Sequence, residues 1–132
     1  MPTVLIVDDE PDNIELLGRR LARRGFEVAS ATSAEEGIAK AVAGRPDVIL
    51  MDIKMPRVDG LEATQRLKAD PATAGIPVIT LTAHAMAEDR DKCLAAGCDD
   101  YASKPIDKAQ LLATCARWIG ADGGSPVLKN TP

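Results

Sequence analysis

The chain has 132 residues, 45% of them hydrophobic and 2% aromatic, with a formal net charge of −4. That length suits one domain around one core, and the acidic balance supplies no clustered Lys and Arg to engage phosphate backbones, which argues against nucleic acid as a partner. No apolar stretch approaches bilayer-spanning length and no basic segment precedes an apolar signal region at the N-terminus, so no membrane association is expected and a soluble, cytoplasmic protein is.

With so few aromatics, the core must be built from Val, Ile, Leu, Met and Ala, a composition that suits buried parallel strands. Val4-Leu5-Ile6-Val7 reads as the first such strand, stopping abruptly at the acidic loop Asp8-Asp9-Glu10. Pro11 suits the first turn of a helix whose apolar stripe is Ile14, Leu17 and Leu21, with Gly25 as its C-terminal stop. The basic run Arg19, Arg20, Arg23 and Arg24 lies at helical spacing beside that stripe and reads as a solvated face. Phe26 to Ala31 is predicted as a second strand, and the Ser33/Glu36 spacing as a reciprocal cap on a helix running to about Gly44. Val48-Ile49-Leu50-Met51 is another apolar strand ending on an acid, Asp52.

Asp59 is expected to cap a third helix carrying Leu61, Ala63 and Leu67, and the stretch from Pro71 to Pro77 leads into the strand Val78-Ile79-Thr80-Leu81, with Thr82 at its end. A helix from about Met86 to Ala96 stops at Gly97, a short strand spans Asp100 to Ser103, and Asp107 opens a last helix. Strands alternating with helices imply right-handed crossovers and a parallel sheet covered on both faces. The domain is placed at residues 1–120, with a flexible tail at 121–132. Cys93, Cys98 and Cys115 contain no CxxC pair and read as reduced, buried thiols.

In such sheets ligands bind beyond the carboxyl ends of the strands. Those ends present Asp8 with Asp9, then Asp52, then Thr82, then Ser103-Lys104-Pro105, all on one rim. Clustered carboxylates repel one another and call for a cation, and without a His or Cys pattern the hard oxygen donors point to magnesium. A carboxylate beside that ion can attack phosphorus in line; Lys104 supplies an ammonium for the phosphate oxygens and Thr82 a hydroxyl.

These residues, in this order, resemble the receiver domain of two-component response regulators over Thr3 to Trp118: Asp8-Asp9, Asp52, Met55-Pro56, Asp59-Gly60, Thr82-Ala83, Tyr101 and Lys104-Pro105. The resemblance implies a flavodoxin-like (βα)5 doubly wound α/β fold, five parallel strands in order 2-1-3-4-5. It implies that Asp52 accepts a phosphoryl group from a phosphohistidine on a sensor histidine kinase or histidine phosphotransfer protein. Asp9, Asp52 and the Lys54 main-chain carbonyl would bind Mg2+ directly, Asp8 would help through water, and Lys104 would contact the phosphate. Thr82 and Tyr101 would form the switch pair that remodels a face for a downstream protein target.

Lys54 and His84 occupy the positions two beyond the acceptor and two beyond the threonine, which in receivers influence phosphate lifetime. His84 would otherwise serve as a base toward water or stand as an exposed loop residue. The expected role is a phosphoacceptor rather than an enzyme, either free-standing or as the receiver of a hybrid kinase; the oligomeric state has no signature in the sequence. An aspartate-nucleophile phosphatase of the haloacid dehalogenase kind would need D-x-D, and Asp52 is followed by Ile53 and Lys54. A dinucleotide site would need G-x-G-x-x-G where Asp8-Asp9-Glu10 stands.

Overall fold

The structure, a computed structural model, describes residues 2–52, 60–82, 87–103 and 112–118, and at 82, 87–90 and 103 the backbone only. Strands β1 (Thr3–Val7), β2 (Glu27–Ala31), β3 (Val48–Asp52), β4 (Val78–Thr82) and β5 (Asp100–Ser103) alternate with helices α1 (Pro11–Ala22), α2 (Ala34–Gly44), α3 (Gly60–Ala69) and α4 (Ala87–Ala96). Residues 112–118 are helical as well. The strands form one sheet in the order β2-β1-β3-β4-β5, every neighbouring pair parallel. The expected caps at Asp59 and Asp107 and the tail at 121–132 lie outside the described residues.

Two layers of apolar side chains explain why β1 and β3 are continuous hydrophobic runs. Leu5, Val7, Ile49, Met51 and Val78 face α2, α3 and α4 through Ala34, Ala41, Ala63, Leu67 and Cys93. The alternate residues Val4, Ile6, Val48, Leu50, Ile79 and Leu81 face α1 and the helical residues 112–118 through Leu17, Leu21 and Cys115. Small residues let the helices come close: a Cβ on Gly37 would sit 2.7 Å from Val7 Cγ2, so α2 lies directly on β1. The three cysteines are buried within these layers. Burial pushes the Cys98 thiol up and the Cys115 thiol up to about 12, so they stay protonated at neutral pH and serve as packing, not as ligands or nucleophiles.

Helix ends follow local rules, with two shifts from expectation. Gly25 (φ 90°) closes α1, with Gly25 N–H donating to Ala22 O at 3.1 Å and Phe26 N–H to Leu21 O at 3.2 Å. Phe26 thereby belongs to the helix stop, and β2 begins at Glu27 instead of Phe26. Ser33 Oγ accepts from Glu36 N at 3.1 Å as the spacing predicted, but Glu36 Oε1 returns to Thr32, accepting from its N–H at 2.8 Å and its hydroxyl at 3.1 Å. Those Thr32 donors, with Lys40 behind them, hold the Glu36 carboxyl below the usual glutamate range.

α2 ends at Gly44 as predicted, yet the residue in the left-handed conformation is Arg45 (φ 46°), whose N–H donates to Ala41 O at 2.9 Å. A left-handed L-residue costs roughly 1–2 kcal/mol, and glycine's extra chain entropy returns part of the gain on replacement. Arg45→Gly is therefore expected to raise unfolding stability by about 0.5–1 kcal/mol, read from the midpoint of a urea titration at unchanged slope.

Thr80, fully buried in β4, is a local conflict of another kind. Beyond a loose approach to the Cys98 thiol, its hydroxyl has no hydrogen-bond partner among the described residues. Valine has the same shape without the polar atom, so Thr80→Val is expected to stabilise the fold by about 1 kcal/mol. A lower melting temperature in that variant would show that the hydroxyl is satisfied after all.

Candidate functional site

The doubly wound order places β1 and β3 side by side, and their register sets the site. Val7 pairs with Met51, so Asp8 and Asp52, each one residue further on, emerge at the same level at the carboxyl edge. Asp8 is fixed from behind by its N–H donating to Ala31 O at 3.0 Å. Each of Asp8, Asp9 and Asp52 offers a carboxylate oxygen within 4.8 Å of the others. Asp8 and Asp52 are buried, 1% and 6% exposed, while Asp9 stands in solvent. The sequence had placed exactly these acids on one rim, and the structure brings them together.

A group of three hard oxygen donors fits magnesium. Oxygens within 4.8 Å of one another are close enough to share one hard cation, directly or through a bound water. The three thiols are buried away from this group, and no Cys or His joins it among the described residues, so a softer metal has no ligand set there.

The rim continues across β4 and β5. Asp52 pairs with Leu81, placing Thr82 one residue along on the neighbouring strand, and Thr82 pairs with Ser103. Tyr101 pairs with Thr80 and packs, partly buried, against the core layer that includes Cys93 of α4. The Tyr101 N–H is held by Asp100 Oδ1 at 2.8 Å. The other carboxylate oxygen of Asp100 accepts from Trp118 Nε1 at 2.9 Å and from Arg117, whose guanidinium lies 5.8 Å from the Trp118 ring centroid. This clasp docks the helical residues 112–118 onto the start of β5. Lys54, His84 and Lys104 lie outside the described residues, as does the side chain of Thr82.

The profile of the response regulator receiver domain matches residues 4–116. The chain belongs to the response-regulator receiver family. Among its relatives, the polar-differentiation response regulator DivK of Brucella anthropi is 38% identical over 118 residues, covering 89% of this chain and 96% of that protein. The DNA-binding dual master transcriptional regulator RpaA of Synechocystis sp. is 41% identical over 113 residues, 86% of this chain but 47% of RpaA, so the chain spans about half the length of that relative. The crystal structure of the receiver domain of sensor histidine kinase PA1611 from Pseudomonas aeruginosa, with a magnesium ion in its active-site cleft, superposes with a TM-score of 0.84 at 36% identity, covering 90% of this chain and 98% of that one. Receiver domains thus occur both nearly alone and within larger proteins, and this one has their flavodoxin-like fold.

Sequence reasoning passed over two features of this receiver. Asn13, on the first turn of α1, places its amide Nδ2 3.1 Å from Glu10 Oε1 and 3.4 Å from Asp8 Oδ2, while Glu10 N–H donates to Asp8 Oδ1 at 2.9 Å. An Asn three residues after an acidic helix start was the available signal. At the opposite edge of the sheet, the Lys68 ammonium donates to Asp99 Oδ2 at 2.7 Å, Ile76 O at 2.8 Å and Ala74 O at 3.2 Å. Of the basic run expected on a solvated face, Arg19 on α1 and Arg23 and Arg24 just past its end are exposed, whereas Arg20 is half-buried; Arg19 pairs with Glu15 at 2.6 Å. No helix among the described residues is long and apolar enough to cross a membrane.

Proposed function

We propose that the chain is a phosphorylation-switched receiver in which Asp52 accepts a phosphoryl group from a phosphohistidine on a sensor histidine kinase or histidine phosphotransfer protein. The convergence of Asp8, Asp9 and Asp52 at the carboxyl edge of the two central strands carries this reading. An Asp52 carboxylate oxygen attacks phosphorus, the P–N bond breaks, and the imidazole nitrogen leaves with the electron pair. Asp9 and Asp52, with the Lys54 carbonyl, would hold Mg2+, and Asp8 would hold it through water. The ion, when bound, supplies positive charge to the phosphoryl oxygens. Burial of Asp52 limits access for water, while exposed Asp9 leaves an approach for the donor.

Lys104 is assigned to the phosphate oxygens and Thr82 to a hydrogen bond with the same group; both rest on their places in the receiver pattern. Thr82 and Tyr101 form the switch, supported by the seat of Tyr101 against the α4 side of the core. Lys54 and His84 are assigned an influence on phosphate lifetime. One phosphate per chain is the product, so the protein is a signalling acceptor, not a turnover enzyme, acting in the cytoplasm on a downstream protein target.

Intact-mass measurement after incubation with Mg2+ and acetyl phosphate tests this reading: a single phosphate, lost on chelating the metal, is expected. Repeated hydrolysis of the donor with no protein adduct would instead favour an aspartate-nucleophile phosphatase.

A further inference from the structure

The first turn of α1 arranges more than a helix cap. Asp8 receives hydrogen bonds on both oxygens from this turn, the Glu10 N–H on Oδ1 and the Asn13 amide toward Oδ2. The same amide nitrogen makes its shorter contact to Glu10 Oε1. A primary amide carries two hydrogens, so Asn13 can serve both acids at once. Asp8, Asp9 and Glu10 are consecutive, yet the carboxylates gathered within reach of one cation are those of Asp8, Asp9 and Asp52. The Glu10 side chain is drawn back along α1 to Asn13 instead.

We propose that Asn13 is a positioning residue for metal selectivity: it tethers Glu10 outside the acidic centre while steadying Asp8 inside it. The reasoning rests on the proposed divalent-cation role of that centre. Magnesium takes six ligands at short distance and keeps several waters, so a small group of carboxylates suits it. Calcium accepts up to eight oxygens in looser geometry and gains from each added carboxylate. Releasing Glu10 adds a flexible fourth acid, one residue from Asp9, and shifts preference from the smaller ion to the larger. Loosening Asp8 at the same time weakens Mg2+.

Calorimetric titration of the full chain with MgCl2 and, separately, CaCl2 tests this, with melting temperature as a control for folding. Asn13→Ala suits a first-turn helical site, and Asn13→Leu keeps the bulk; both remove the donor. In each, the preference for Mg2+ over Ca2+ is expected to fall about tenfold, the lower end of what loss of an outer partner costs a metal site. Adding Glu10→Gln to either variant is expected to restore the preference to within about threefold of the parent chain.

A role confined to capping α1 would lower the melting temperature and leave the preference unchanged, and that result overturns the proposal. So does a fallen preference that Glu10→Gln fails to restore. Failure of the site reading itself looks different: the unaltered chain would bind neither ion, or Asp52→Asn would bind Mg2+ as well as the parent, which removes both.

Discussion

Asp52→Asn is expected to take up no phosphate from acetyl phosphate, and its melting temperature is expected not to rise with magnesium. The asparagine side chain keeps the shape of a buried group that is 6% exposed, so the fold is retained. Its amide nitrogen is not a nucleophile toward phosphorus, and its single neutral oxygen is a poor substitute for a carboxylate beside Mg2+. In the unaltered chain, Mg2+ bound at a hundred times its dissociation constant would stabilise the native state by about 2.7 kcal/mol. For a domain of this size that is roughly 10 °C in melting temperature. Asp8→Asn is expected to separate the two roles: the acceptor would remain, the magnesium response would shrink, and the phosphate would appear more slowly. A phosphate adduct on Asp52→Asn would place the acceptor elsewhere and sink the assignment.

Lys68→Met is the substitution expected to cost most stability, on the order of 3 kcal/mol or about 10 °C. Lys68 and Asp99 are 31 residues apart in sequence and 19% and 30% exposed, so solvent screens their attraction only in part. The ammonium also satisfies the Ala74 and Ile76 carbonyls, and Asp99 Oδ2 accepts from Val78 N–H at 2.8 Å. One side chain thus joins the end of α3, the turn before β4 and the turn before β5. Methionine fills the space but takes the Lys68 donor from two carbonyls and leaves the Asp99 carboxylate, still held by the Val78 N–H, without its cationic partner. Adding Asp99→Asn removes the stranded charge and is expected to recover about half of the loss, a coupling that chemical denaturation of the four cycle members would measure. A loss in the double variant equal to the sum of the two single losses would mean that the two residues act independently.

The centre of the sheet was legible because β1, β3 and β4 are short apolar, β-branched runs that lead into or end on an acidic or hydroxyl residue, and the acids follow from the first and third strands. What the sequence hid is long-range or conformational. Nothing in the periodicity around Lys68 or Asp99 points across 31 residues, because a single ion pair leaves no repeating pattern. Arg45 takes a left-handed backbone that composition assigns to glycine, with Gly44 beside it as the more obvious stop. Phe26 looks like the first strand residue because it is apolar, and becomes part of the α1 stop because its N–H is needed by Leu21 O. Glu36 shows the same limit at one-residue scale: the cap spacing was readable, but the choice of Thr32 over Ser33 as its partner depends on how the chain enters the helix.

Asp8 and Asp52 stand level because Val7 is paired with Met51 through the main chain. The spacing of the acids is consequently inherited with the hydrogen-bond ladder and does not depend on the identity of residues on the outer helix surfaces. Those surfaces are free to drift and to acquire new acquaintances while the centre stays in tune.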